Sequence, residues 1–280
     1  MQQFAAAACE AIRPLLAGPV VSAQLVGLGT HAAYFRTSSE VFAVLTSSAV
    51  ALPCTLVLAP GRALPDSLGP GVAVLVGGGR VQWRNPAGDA DVAVVATRWW
   101  PAPQVLTSMI EIDLTRATAE VMAALGGHAL PGGVAQALAD AADAVLDRAP
   151  ELAARHLVRV LGVGPGLTPS GDDAAAGLLL TARALAATPA ALDQVAQIGQ
   201  VVADVALERT TAISAALLRH AAAGRAAQVV VDAVAAVAAG SASTAALERL
   251  LQLGHTSGAD TAAGVLAAVR ALNRCQLQTA

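Results

Sequence analysis

A chain of 280 residues that is 55% hydrophobic, 2% aromatic and −3 in net charge can bury a sizeable core, built of Ala, Val and Leu with few rings. Every basic residue is arginine, which removes a Schiff-base lysine, a P-loop lysine and a lysine general base, and leaves carboxylate or phosphate recognition to guanidinium groups. The arginines form no basic stripe, so nucleic acid is not an expected partner; Cys9, Cys54 and Cys275 are too few and too scattered for a disulfide framework or a metal-ligand spacing.

Residues 4–16 predict a short helix ended by Gly18-Pro19. The start lacks a basic region and Glu10 and Arg13 interrupt its apolar run, so no signal peptide is expected. From Val20 to Trp100 the pattern changes to short β-type runs, at 20–28, 31–37, 41–46, 54–59, 72–76, 79–84 and 91–98. Gly77-Gly78-Gly79 reads as a hairpin turn, and Trp99-Trp100-Pro101-Ala102-Pro103 ends the strand region. Residues 104–116 read as a bridge. Beyond them helices are predicted at 117–125, 131–147, 150–161, 171–186, 190–206, 209–223, 225–238, 243–253 and 258–273. The most apolar stretch, 174–192, contains Arg183 and Pro189 and does not read as a membrane span. The expectation is a soluble, cytoplasmic α+β protein: a β-rich N-terminal sheet or small barrel over 1–116, then an all-helical domain over 117–280.

Residues 162–177 organise this second part. Gly162-Val163-Gly164-Pro165-Gly166-Leu167-Thr168-Pro169 runs into Ser170-Gly171-Asp172-Asp173, a helix start in which Ser170 and Asp173 have the form of a capping box. The pattern returns: Ser170-Gly171-Asp172-Asp173-Ala174-Ala175-Ala176-Gly177 reads against Ser257-Gly258-Ala259-Asp260-Thr261-Ala262-Ala263-Gly264. Two readings stand, independent caps or one site built by both helix starts. The repeated Ser, Gly and Asp favour the shared site. Helix starts present unpaired N–H groups and partial positive charge, which suit small anions. Adjacent aspartates would repel a bare anion unless arginine or Mg²⁺ intervened.

Candidate binding residues are therefore Gly164, Gly166, Thr168, Ser170 and Gly171 in the first loop, and Thr256, Ser257 and Gly258 in the second. Arg209 and Thr210 join them from Glu208-Arg209-Thr210-Thr211-Ala212-Ile213-Ser214, a further helix start rich in charge and hydroxyls. Asp172, Asp173, Asp260 and His255, just ahead of the second start, are the candidate catalytic groups. Gly27-Leu28-Gly29-Thr30-His31 and Thr46-Ser47-Ser48 read as turns. His128 and His156 stand without companions and read as structural, and Arg219 and His220 as surface residues. No G-x-x-x-x-G-K-[ST], C-x-x-C, H-E-x-x-H or G-x-S-x-G occurs, and the glycine loop is not G-x-G-x-x-G after a strand.

The Gly-Leu-Thr-Pro-Ser-Gly-Asp-Asp run at 166–173, with Gly-His-Thr-Ser-Gly-Ala-Asp-Thr at 254–261, resembles the AllH-like family, known for a subunit of oxamate carbamoyltransferase. The resemblance implies carbamoyl transfer between oxamate and phosphate, through oxalurate and carbamoyl phosphate, in allantoin and purine catabolism. It also implies companion subunits, one of them FdrA-like. The Ser-x-Arg-Thr-Arg motif of the aspartate and ornithine enzymes is absent. Two other readings remain: a non-catalytic scaffold or ligand-sensing subunit, and a Mg²⁺-dependent hydrolase using Asp172, Asp173 and Asp260. Mg²⁺ is the one candidate cofactor; no resident metal site is assigned.

Overall fold

The strand pattern read along residues 20–98 closes on itself. The computed structural model describes residues 2–84, 91–107, 113–240 and 244–279, and divides into two units, Met1–Ala102 and Pro103–Ala280. The first is a closed eight-stranded barrel: β1 (Gln2–Cys9), β2 (Val21–Leu28), β3 (Ala32–Arg36), β4 (Val41–Leu45), β5 (Thr55–Leu58), β6 (Val74–Gly77), β7 (Arg80–Arg84) and β8 (Asp91–Trp100). Its strand order is β1-β5-β4-β3-β2-β6-β7-β8, with β8 returning to β1. The β1–β8 and β4–β5 pairs are parallel and the others antiparallel.

Seven of these strands follow the sequence reading, and β1 corrects it. The stretch expected as helix 4–16 is strand from Gln2 to Cys9, then a 3₁₀ turn and a short helix, α1 (Arg13–Ala17). Alanine's helix preference is overridden because β1 pairs on both sides, with β5 and β8, and completes the closure. Ala6 and Ala8 share one face of β1 and are buried, and Cys9, on the other face, is buried too. The glycine hairpin is as expected: Gly77 pairs with Arg80, and the two loop residues, Gly78 and Gly79, have φ of 57° and 82°. Phe35 and Phe42, cross-strand partners on β3 and β4, are fully buried and stack with centroids 5.2 Å apart.

The second unit is helical, as expected: α2 (Leu114–Leu125), α3 (Val134–Leu146), α4 (Pro150–Val160), α5 (Ser170–Ala184), α6 (Pro189–Arg209), α7 (Ala212–Ala222), α8 (Gln228–Ala238), α9 (Thr244–Leu251) and α10 (Ser257–Thr279). The bridge read over 104–116 belongs to this unit where it is described. Val105 N–H donates to the Gly224 carbonyl at 2.8 Å, and the Asp113 side chain caps α2. Residues 108–112, and residue 243 of the helix read over 243–253, lie outside the described residues.

Ala174, Ala175, Gly177, Leu178, Leu179 and Leu180 bury α5 on all sides, which makes it the central helix. Among the described residues no helix is long and apolar enough to cross a membrane.

Candidate functional site

The two Ser-Gly-x-Asp copies open α5 and α10, and they meet. The Thr168 and Ser257 hydroxyls, 89 residues apart in sequence, lie 2.9 Å from each other. Glycine brings them there. A Cβ at Gly177 would collide with the Thr261 carbonyl, and one at Gly264 with the Ala174 carbonyl. In the paired motifs Gly177 matches Gly264 and Ala174 matches Thr261, so the contact has the reciprocity of a two-fold pair. Gly171 and Gly258 match in the same way: each presses on a helix end, at the carbonyls of Val160 and Leu250.

These close approaches occupy part of the expected anion site. The Gly171 amide donates to the Val163 carbonyl and the Gly258 amide to the Leu253 carbonyl, both at 2.9 Å. The capping box is corrected. Pro169 is the N-cap of α5, and no side chain caps it. Its carbonyl takes the Asp172 and Asp173 amides at 2.9 and 3.2 Å. With the helix starting one residue earlier than expected, buried Ser170 instead packs on Gly164, which has a φ of 119° and no room for a Cβ beside Ser170.

Asp172 is a hub. Its Oδ1 accepts from the Gly162 amide at 2.9 Å; its Oδ2 accepts from the Ser214 hydroxyl at 2.7 Å and from the Thr210 hydroxyl. Thr211 donates to the Leu167 carbonyl at 2.5 Å and caps α7 through the Ser214 amide. The third hydroxyl-rich segment thus joins the first loop, as the side wall of the same site. Glu208 and Arg209, expected at a helix start, instead close α6, which runs on to Arg209. The Arg209 carbonyl lies against Gly162 and its side chain is exposed. Burial raises the Asp172 carboxyl, against the pull of its three hydrogen bonds.

Asp173 faces the hydroxyl bridge. Burial pushes its carboxyl up to about 7; hydrogen bonds from Ser257 and Thr168 lower it, and the charges of Asp260 and Asp172 raise it again. Either hydroxyl can donate across the 2.9 Å gap. Asp173 Oδ2 is buried without a partner.

Asp260 occupies the matching position in the second copy and is 1% exposed. Its Oδ1 lies 2.8 Å from His128 Nε2, and its Oδ2 is buried without a partner. His128 is the residue that sequence reasoning missed. It follows the left-handed glycines Gly126 and Gly127 at the end of α2. That Gly-Gly-His turn, echoing Gly254-His255, was its one local signal.

His156 also has an acidic companion, Asp140, at 3.8 Å. His220 is half-buried, not a surface residue, and burial with Arg225 and Arg219 lowers it to about 4. His255 and Thr256 are exposed in the 252–256 turn, Thr256 giving its carbonyl to the Asp260 amide at 2.9 Å. In the barrel, His31 Nδ1 lies 3.2 Å from Thr46 Oγ1 and 3.1 Å from Ser48 Oγ, so those two turns also meet.

For a hard cation such as Mg²⁺ the donors would be carboxylate oxygens. Asp172 has both oxygens engaged, which leaves Asp173 and Asp260. Among the described residues no group of three or more His, Cys, Asp or Glu is placed to hold a metal ion. An apolar cavity of about 150 Å³ beside Val145, Leu178 and Val195 shares no residue with the two motifs.

The two loops are thus joined by hydroxyls, and Asp172 is held by three hydrogen bonds. Residues 160–269 match the family model of oxamate carbamoyltransferase subunit AllH. The matched stretch runs from the last residue of α4 into α10 and holds both motif copies, the Asp172 hub and the hydroxyl bridge. The resemblance read from the motifs is borne out there; the barrel and His128 lie outside it. No solved structure matches the chain.

Proposed function

We propose that the chain is a subunit of a carbamoyltransferase and that its two motif loops form one site for a small carboxylate or phosphate. The Thr168–Ser257 contact beside Asp173 is the observation that carries this reading. The left-handed backbone at Gly164 and Gly166 curves the first loop about the hydroxyls, so its amides are the donors for the anion. Arg209 and His255, both exposed, are the remaining cationic and imidazole groups of these segments.

The reaction follows from one proton. A phosphate oxygen attacks the carbamoyl carbon of oxalurate; the new C–O bond forms as the C–N bond to the oxamate nitrogen breaks. The electron pair leaves on nitrogen, which takes a proton from Asp173, and the attacking phosphate returns one to that carboxyl. In reverse, ionised Asp173 removes the proton from the attacking amide. A carboxyl near 7 serves both directions, because it is available in each form at neutral pH. Asp172, fully bonded, positions the loop.

Calorimetric titration of the full chain with carbamoyl phosphate, oxamate and oxalurate tests the site. Saturable binding is expected, weakened at least about ten-fold in Ser257→Ala and Thr168→Val. In the assembled enzyme, Asp173→Ala is expected to abolish turnover while the fold persists; full activity would remove the proposed role.

A non-catalytic, ligand-sensing or scaffold subunit is the second reading, favoured by the engagement of the Gly171 and Gly258 amides within the fold. It predicts a folded chain that binds companion subunits, an FdrA-like protein among them, and none of the three ligands.

A further inference from the structure

We propose that Asp260, steadied by His128, accepts a hydrogen bond from the NH₂ group of an amide-bearing anion, and that this pair sets the site's preference for amides over carboxylates of the same shape. The inference rests on the reading of the motif loops as the small-anion site. Asp260 is 1% exposed, yet only one of its oxygens has a partner. Buried polar atoms are almost always hydrogen-bonded, so Oδ2 calls for a partner that the described residues do not supply. A carboxylate only accepts, so His128 Nε2 carries the hydrogen that reaches Oδ1 across 2.8 Å. With Oδ1 tied, the carboxylate cannot rotate, and Oδ2 is left as a fixed acceptor.

A second orphan stands at the matching position of the other copy, Asp173 Oδ2. The two copies meet at the Thr168–Ser257 contact, and each aspartate stands three residues beyond its own copy's serine. An NH₂ group has two hydrogens, one for each orphan. An anion without the amide leaves both oxygens unpartnered and sets its own charge against them. Oxamate and pyruvate are close in shape: both carry a carboxylate next to a carbonyl, and NH₂ in the first replaces CH₃ in the second. His128 acts through Asp260 and is a positioning residue.

The test is competitive calorimetry of oxamate and pyruvate on the full chain. The wild type is expected to favour oxamate at least about ten-fold, since a site built to hydrogen-bond a group discriminates against analogues that lack it. In Asp260→Asn the amide keeps the bond to His128 and turns a donor toward the ligand, so the preference falls to about one or reverses. His128→Gln, which retains a donor, is expected to keep most of the preference, and His128→Phe to lose it while pyruvate binding stays. Equal binding of the two ligands by the wild type would overturn the amide assignment and leave the small-anion site standing. An unchanged ratio in Asp260→Asn would also overturn it, even if His128→Phe failed to fold. Binding of neither ligand by the folded chain would overturn both this inference and the anion site beneath it.

Discussion

The two Ser-Gly-x-Asp copies share their letters and differ in what braces them. In the first, the variable position is Asp172, bonded to Gly162, Thr210 and Ser214, so that α5 is tied to its own loop and to the α6–α7 junction. In the second it is Ala259, and the brace comes to Asp260 from His128 in the α2–α3 connection. The repeated glycines and serines therefore specify how two helices approach and enter the site. The letter that changes decides which neighbour holds each start. Matching aspartates end in unlike surroundings, Asp173 beside hydroxyls and Asp260 beside an imidazole.

The largest effect is expected from breaking the pairing itself. Gly264→Val drives a side chain into the Ala174 carbonyl, where a backbone has nowhere to move. A loss of ~3 kcal/mol or more is expected, read as a lower denaturant midpoint or as failure to fold. A midpoint equal to wild type would show that the two helices do not need this approach.

Asp172→Ala comes next. It leaves two hydroxyls and an amide without their acceptor, and about 2–4 kcal/mol of stability is expected to go. Ala259→Ser, at the matching position of the second copy, is expected to change stability by less than ~0.5 kcal/mol. Equal losses at the two positions would make the copies equivalent after all.

The smallest effect depends on pH. Asp173, raised from 3.8 to about 7, keeps its proton in the folded chain at pH values where the unfolded chain has lost it. The stability it contributes is thus present below about pH 4 and is lost as pH rises through 7. Asp173→Asn mimics the protonated form and is expected to melt about 5 °C above wild type at pH 8, and at the same temperature at pH 4. His220, lowered to about 4, destabilises the fold as pH falls from 6.5, but does so in both proteins and cancels in the difference. A gain independent of pH would place the carboxyl's titration elsewhere.

What could be read in advance follows from how far each signal reaches along the chain. Val41-Phe42-Ala43-Val44-Leu45 and its neighbours carry strand character within a few residues, and seven strands were legible. Ala5-Ala6-Ala7-Ala8 carry helix character locally and become strand only because β5 and β8 flank them. The meeting of the motifs was legible because it is written twice. His128 was not, since its partner lies 132 residues away and no spacing connects them. Pro169 took the cap from Ser170 because the residues ahead of α5 are set by the contact of Gly164 with Ser170, which a capping rule does not see.

The closure of β1 against β8 has a consequence for how the chain is made. Gln2 pairs with Val92, so on a ribosome adding ~5–20 residues per second the first strand waits about 5–20 s for its last neighbour. Until β5 is made, the four consecutive alanines of β1 have only their local preference to follow, which is helical. The β1 segment, helical by its local preference, is thus recruited into strand by β5, and barrel closure waits for translation of residues 91–100.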